Sequence, residues 1–256
     1  MGVELFLVLP DLGGSKVEAL RGLCAEGVRA SVLVSYTVLR WKPSMLPRLA
    51  SLRVEGCLGR VMLDSGAYHL MRLGESVDPG EYAGFARSAQ ELWDIVVAPD
   101  VPGRPGETLE RTLEFASVYA GRFMPVLQGE DEEGYSRLLR SFEAEGLIDR
   151  APRAPDGRPI VGVGGLDGDR KRVGYVSRLL RRLPSDYSYH LFGVGVRVIR
   201  GLRRRGLLDR VYSVDSSGWL AEIWFRRRTV YGASGVVEAN LAAMRAYIGK
   251  AQAAAG

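Results

Sequence analysis

The sequence predicts a single (β/α)8 barrel, and three observations predict it. The chain has 256 residues, close to the roughly 250 typical of that fold. Eight short aliphatic or β-branched runs alternate with stretches of helical periodicity, the pattern of βα units feeding a parallel sheet. A helical stretch follows the eighth run, as a closed βα repeat requires. The same alternation allows an open doubly wound sheet, but the strand count and the final helix favour the barrel.

The eight runs lie at 3–9, 30–36, 60–64, 94–98, 124–128, 160–164, 189–193 and 211–215. They are almost continuously hydrophobic, as strands buried on both faces are. The segments between them read as helices at about 15–26, 44–53, 79–92, 106–120, 131–146, 171–182, 196–207 and 234–253. Several carry start signals: Ser15, the pair Asp78-Pro79, and the acidic turn that opens with Glu130 and Asp131. No repeat, low-complexity tract or linker divides the chain, so residues 1–256 are expected to form one catalytic domain.

Composition narrows the class further. Hydrophobic and charged residues make up 46% and 25% of the chain, which excludes disordered and fibrous classes. The opening apolar run is short and contains Glu4, so it reads as neither a signal peptide nor a membrane span, and a cytoplasmic location is expected. The two cysteines, Cys24 and Cys57, provide no framework. With only His69 and His190 besides, no zinc-ligand cluster is recognisable, and neither metal nor cofactor is expected. Charge is uneven. Residues 170–228 hold fifteen Arg and Lys against four Asp and Glu, which fits either solvated helix faces or a surface facing phosphates.

Chemistry-bearing residues gather at the carboxyl ends of the predicted strands: Asp64-Ser65-Gly66, Asp100, Gln128-Gly129, Gly164-Gly165, Gly193 and Asp215-Ser216-Ser217. Each has an ordinary explanation as a helix cap or a turn. A barrel, however, brings them all to one face, where such enzymes place their active sites. Two carboxylates from non-adjacent strands, Asp64 and Asp215, suit a division of labour between an ionised group and a proton shuttle. That division is also the logic of retaining glycosyl transfer.

Six blocks, LDSGAYH (63–69), VVAPDVPG (96–103), PVLQGE (125–130), VGVGGLDG (161–168), HLFGVG (190–195) and VYSVDSSGW (211–219), occur in an order that resembles the catalytic barrel of the tRNA-guanine transglycosylase superfamily. The resemblance implies a glycosyltransferase that replaces guanine in nucleic acid by a 7-deazaguanine, with tRNA favoured and DNA as the alternative. It implies that Asp215 attacks the sugar as a nucleophile and that Asp64 handles the proton. Asp100 and Gln128 would read the base edge, with Ser65 beside them. Backbone groups of Gly165 and Leu166 would add contacts, and Tyr68 and Phe192 would sandwich the ring. Arg197, Arg200, Arg226 and Arg227 would follow the nucleic-acid backbone.

The sequence departs from that pattern in two ways. It lacks the family's usual zinc site of three cysteines and a histidine, and no accessory RNA-binding domain is expected. A partner subunit or a homodimer therefore enters as an expectation, and water in place of the incoming base is also open. Two other classes compete. One is a phosphosugar barrel whose glycine-rich strand ends cradle a phosphate. The other is a non-catalytic nucleic-acid-binding subunit.

Overall fold

The computed structural model describes residues 2–227 and 235–256, and within it the side chains of 224–227 are not described. In chain order the elements are β1 (Glu4–Val8), α1 (Gly14–Ala25), β2 (Ala30–Ser35), α2 (Tyr36–Trp41), α3 (Met45–Val54), β3 (Leu58–Asp64), α4 (Ala67–Met71), α5 (Pro79–Ser88), β4 (Ile95–Val96) and α6 (Pro105–Val118). There follow β5 (Val126–Leu127), α7 (Glu132–Ala144), β6 (Ile160–Val163), α8 (Val173–Arg182), β7 (Ser188–Leu191), α9 (Val196–Arg203), β8 (Val211–Ser216), α10 (Gly218–Arg227) and α11 (Val236–Ala255). All eight predicted strands are present. The helices differ from expectation in the short α2 and α4 and in α10, each of which starts within three residues of a strand end, where the sequence pattern predicts no helix.

The strands form one parallel sheet in the order β4-β3-β2-β1-β8-β7-β6-β5. A parallel bridge from Val97 to Met124 joins the two outer strands, with Met124 N–H donating to Val96 O at 2.8 Å and Ala98 N–H to Met124 O at 2.9 Å. The sheet is thereby closed into a (β/α)8 barrel. Phe6, Leu33, Met62, Val97, Met124, Val126 and Ile160 fill its interior, and a larger apolar layer lies between sheet and helices. Below the interior, Glu4 accepts from Ser31 and from Tyr212, and Arg60 lies over the Tyr212 ring, so the polar groups at that end are mutually satisfied.

Two of the predicted helix starts have the expected chemistry. Asp78 accepts from Glu81 N–H at 2.7 Å with Pro79 in the first turn, and Asp131 accepts from Gly134 N–H at 2.7 Å. The reading of the cysteines is corrected. Cys24 at the end of α1 and Cys57 just before β3 form a disulfide, with Cα atoms 5.0 Å apart. Barrel closure packs α1 beside the approach to β3, which sequence spacing alone does not reveal. Among the described residues no helix is long and apolar enough to cross a membrane, and no group of three or more His, Cys, Asp or Glu could hold a metal ion.

Candidate active site

A cavity of about 310 Å³ opens at the carboxyl ends of the strands. It is lined by Asp64 from β3, Asp100 after β4, Gln128 after β5, Gly164, Gly165 and Leu166 after β6, Phe192 and Gly193 after β7, and Asp215 from β8. Tyr68 from α4 stands at its mouth, half exposed, and Lys171 also lines it. Residues more than 150 positions apart in sequence thus share one concave site, as the barrel topology requires.

The carboxylates differ in their surroundings. Asp64 accepts from Gly66 N–H at 2.9 Å, yet burial, together with the negative charges of Asp100 and then Asp215, pushes its carboxyl up to about 7. Asp100 is pushed up to about 6 by burial, against the opposing hydrogen bond from the Gln128 amide. Asp215 Oδ1 accepts from Gly193 N–H at 2.9 Å and lies 3.2 Å from Nε2 of the wholly buried His190. A proton donor and acceptor poised near neutrality, beside a carboxylate held by two donors, is the equipment of general acid–base chemistry.

The scaffold around these groups is specific. Tyr82 on α5 donates its hydroxyl to Leu63 O at 3.2 Å and to Val97 O at 2.9 Å, tying the ends of β3 and β4, from which Asp64 and Asp100 project. Gln128 is almost fully buried. Its Oε1 accepts from Gly103 N–H at 3.2 Å while its amide donates to Asp100. A side chain at Gly164 would overlap the Gln128 amide, and Gly165 sits at φ +65° with Gln128 Oε1 2.7 Å from where a Cβ would be. Both glycines are therefore required by the amide that crosses toward Asp100.

Of the residues singled out in the sequence, Asp64, Tyr68, Asp100, Gln128, Gly165, Leu166, Phe192 and Asp215 line the cavity. Ser65 does not, which corrects its assignment. Strand alternation turns it away from Asp64 into the fold, where it is fully buried and its hydroxyl accepts from Ala67 N–H at 3.3 Å. Arg197 and Arg200 are exposed on α9, outside the cavity lining. The side chains of Arg226 and Arg227 lie outside the described residues.

Two cavity features went unpredicted. Lys171 lines the wall, and His190 supports Asp215 from below. His190 had a signal in the sequence, because it precedes Phe192 by two positions and so shares the inward face of β7. A second cavity of about 280 Å³ adjoins the first and shares Ala67, Asp100 and Pro102 with it.

No family model matches the chain, and no curated protein matches it. Solved structures do match in fold. A provisionally named fructose-1,6-biphosphate aldolase from Coccidioides immitis aligns at a TM-score of 0.56 and 14% identity, covering 100% of this chain and 91% of that one. A native KDPGal structure aligns at 0.54 and 14% identity over 99% of this chain and 97% of the other. A designed cube-shaped, highly porous protein cage aligns at 0.54 and 12% identity over 99% of this chain and 74% of that one.

These comparisons correct the resemblance drawn from the sequence. The likeness found is to an aldolase barrel, so membership of the transglycosylase superfamily, glycosyl transfer and guanine exchange on tRNA or DNA are set aside. The reason is physical. Each of the six blocks joins a hydrophobic strand end to polar or glycine residues, which (β/α)8 enzymes commonly carry at the carboxyl rim where their active sites lie. Their order follows strand order, which does not separate one barrel family from another. At such low identities the likeness establishes the fold alone.

Proposed function

We propose that this chain is a barrel enzyme that performs general acid–base chemistry on a small polar substrate, with Asp64 as the proton shuttle. The observation that carries the reading is the carboxyl of Asp64, raised to about 7 in a cavity it shares with Asp100 and Asp215. A group with that affinity takes and releases a proton at neutral pH with little cost in either direction. Asp215, tethered by Gly193 and His190, supplies a carboxyl group held in a fixed position facing the substrate. Asp100 and Gln128 supply acceptors and donors for polar edges, and Phe192 and Tyr68 supply apolar faces for a flat portion of the substrate.

The reading takes the whole chain as one catalytic unit in the cytoplasm. It adds a surface for an anionic partner, nucleic acid included, at the exposed Arg197 and Arg200. The test is a substrate panel of sugar acids, sugar phosphates and small carbonyl compounds, run with wild type and Asp64→Asn. Turnover that is lost in Asp64→Asn supports the reading. Turnover that survives it unchanged sinks the reading.

One observation favours a narrower version. The chain has four lysines, and among the cavity-lining residues Lys171 carries the amine. An amine facing a carbonyl substrate can condense with it, losing water to form an imine that acts as electron sink while Asp64 moves the proton. The chain would then be a carbon–carbon lyase, in keeping with the aldolase among its structural neighbours. Borohydride reduction in the presence of pyruvate or dihydroxyacetone phosphate, followed by mass spectrometry, would fix the adduct on Lys171. Recovery of unmodified protein would remove this version and leave the broader one standing.

A further inference from the structure

Both hydrogen bonds that hold Asp215 among the described residues end on the same oxygen. Gly193 N–H donates to Oδ1 at 2.9 Å, and His190 Nε2 lies 3.2 Å from that atom. The other ring nitrogen of His190, Nδ1, lies 2.7 Å from the hydroxyl of Ser213. A neutral imidazole has one N–H, and an ionised carboxylate offers acceptors alone. For both contacts to be hydrogen bonds, the proton sits on Nε2 and points at Asp215, while Nδ1 presents its lone pair to the Ser213 hydroxyl.

The ring has no freedom to choose otherwise. It is wholly buried, with Phe192 edge-on at 4.4 Å between centroids and Phe6 at 5.9 Å on another side. A ring flip would put Cδ2 against Ser213 and Cε1 against Asp215, so both contacts would be unmade, at a cost typical of buried polar groups without partners. The register explains the alignment. Tyr189 pairs with Val211 but His190 pairs with Ser213, so β8 carries one extra residue there, and the bulge re-aims Ser213 and Asp215 toward His190.

We infer that His190 is a positioning residue for Asp215, locked in the Nε2–H tautomer by the acceptor-only carboxylate with the Ser213 hydroxyl donating to Nδ1, and that this lock saturates Oδ1 and leaves Oδ2 as the oxygen offered to a substrate. The consequence for chemistry rests on the acid–base reading above, but the lock itself does not.

The test is the ring 15N spectrum of uniformly labelled protein, which contains two histidines, His69 and His190. The expected result is a single Nε2–H tautomer for His190 in wild type. Ser213→Ala, with its fold checked by circular dichroism, should keep that tautomer and move the Nδ1 resonance downfield, because the lone pair loses the hydrogen bond donated by the hydroxyl. A wild-type ring protonated on Nδ1, or on both nitrogens, would overturn the inference. So would a Ser213→Ala spectrum identical to wild type. Should that variant fail to fold, the wild-type tautomer decides alone. An Asp64 that fails to titrate near neutrality would remove the acid–base reading and leave this spectrum unchanged.

Discussion

The side-chain amide of Gln128 donates to the carboxylate of Asp100 while its oxygen accepts from the backbone of Gly103, so one buried amide bridges the loops after β4 and β5. The amide has room to do so because no side chain stands at Gly164. Gly164→Ala therefore forces Gln128 out of place. We expect a loss of about 1–3 kcal/mol from overpacking and from the bonds it breaks, read as a lowered midpoint in chemical denaturation. A variant as stable as wild type would show that the bridge has slack.

Tyr82 fixes the neighbouring strand ends in the same way. Tyr82→Phe removes one hydroxyl that serves two carbonyls, those of Leu63 and Val97. The expected cost is about 1–2 kcal/mol, with faster amide exchange at the ends of β3 and β4. Exchange that quickens evenly across the barrel would instead mark a global effect.

The Cys24–Cys57 bond closes a loop 33 residues apart in sequence. By chain-entropy arguments its removal costs on the order of 3–4 kcal/mol. The double variant Cys24→Ser, Cys57→Ser should unfold at a lower denaturant concentration than the oxidised protein, and wild type kept in reductant should match the variant.

The buried acids set the pH dependence of stability. Asp64 and Asp100 have carboxyls raised in the folded state, to about 7 and about 6, above the ordinary value of 3.8. The folded state then binds more protons than the unfolded one between pH 4 and 7, so these groups make stability fall as pH rises through that window. Asp64→Asn should be neutral at pH 4 and stabilising above pH 7 by roughly 2 kcal/mol or more, a shift of one unit being about 1.4 kcal/mol. Equal effects at both pH values would contradict the assignment.

Much of this was legible in the sequence, and the reasons differ by element. Strands buried on both faces leave continuous aliphatic runs, so all eight were readable, and with them the rim on which Asp64, Asp100, Gln128 and Asp215 meet. Family identity was not readable, because a polar and glycine-rich rim is common to barrel enzymes at large. Ser65 was misplaced because adjacency to Asp64 does not put it on the same face: neighbouring residues point to opposite sides, and Ser65 is buried in the fold. The aim of Asp215 depends on the extra residue in β8 opposite Tyr189 and His190, a bulge that hydrophobic pattern does not encode. The disulfide depends on helix packing between distant segments.

The most direct test of the central claim is a site-resolved titration of the Asp64 carboxyl by 13C NMR, assigned with Asp64→Asn. The account predicts a midpoint near pH 7, as the raised carboxyl requires. A midpoint close to the ordinary 3.8 would mean that Asp64 is ionised throughout the working range and is no proton shuttle.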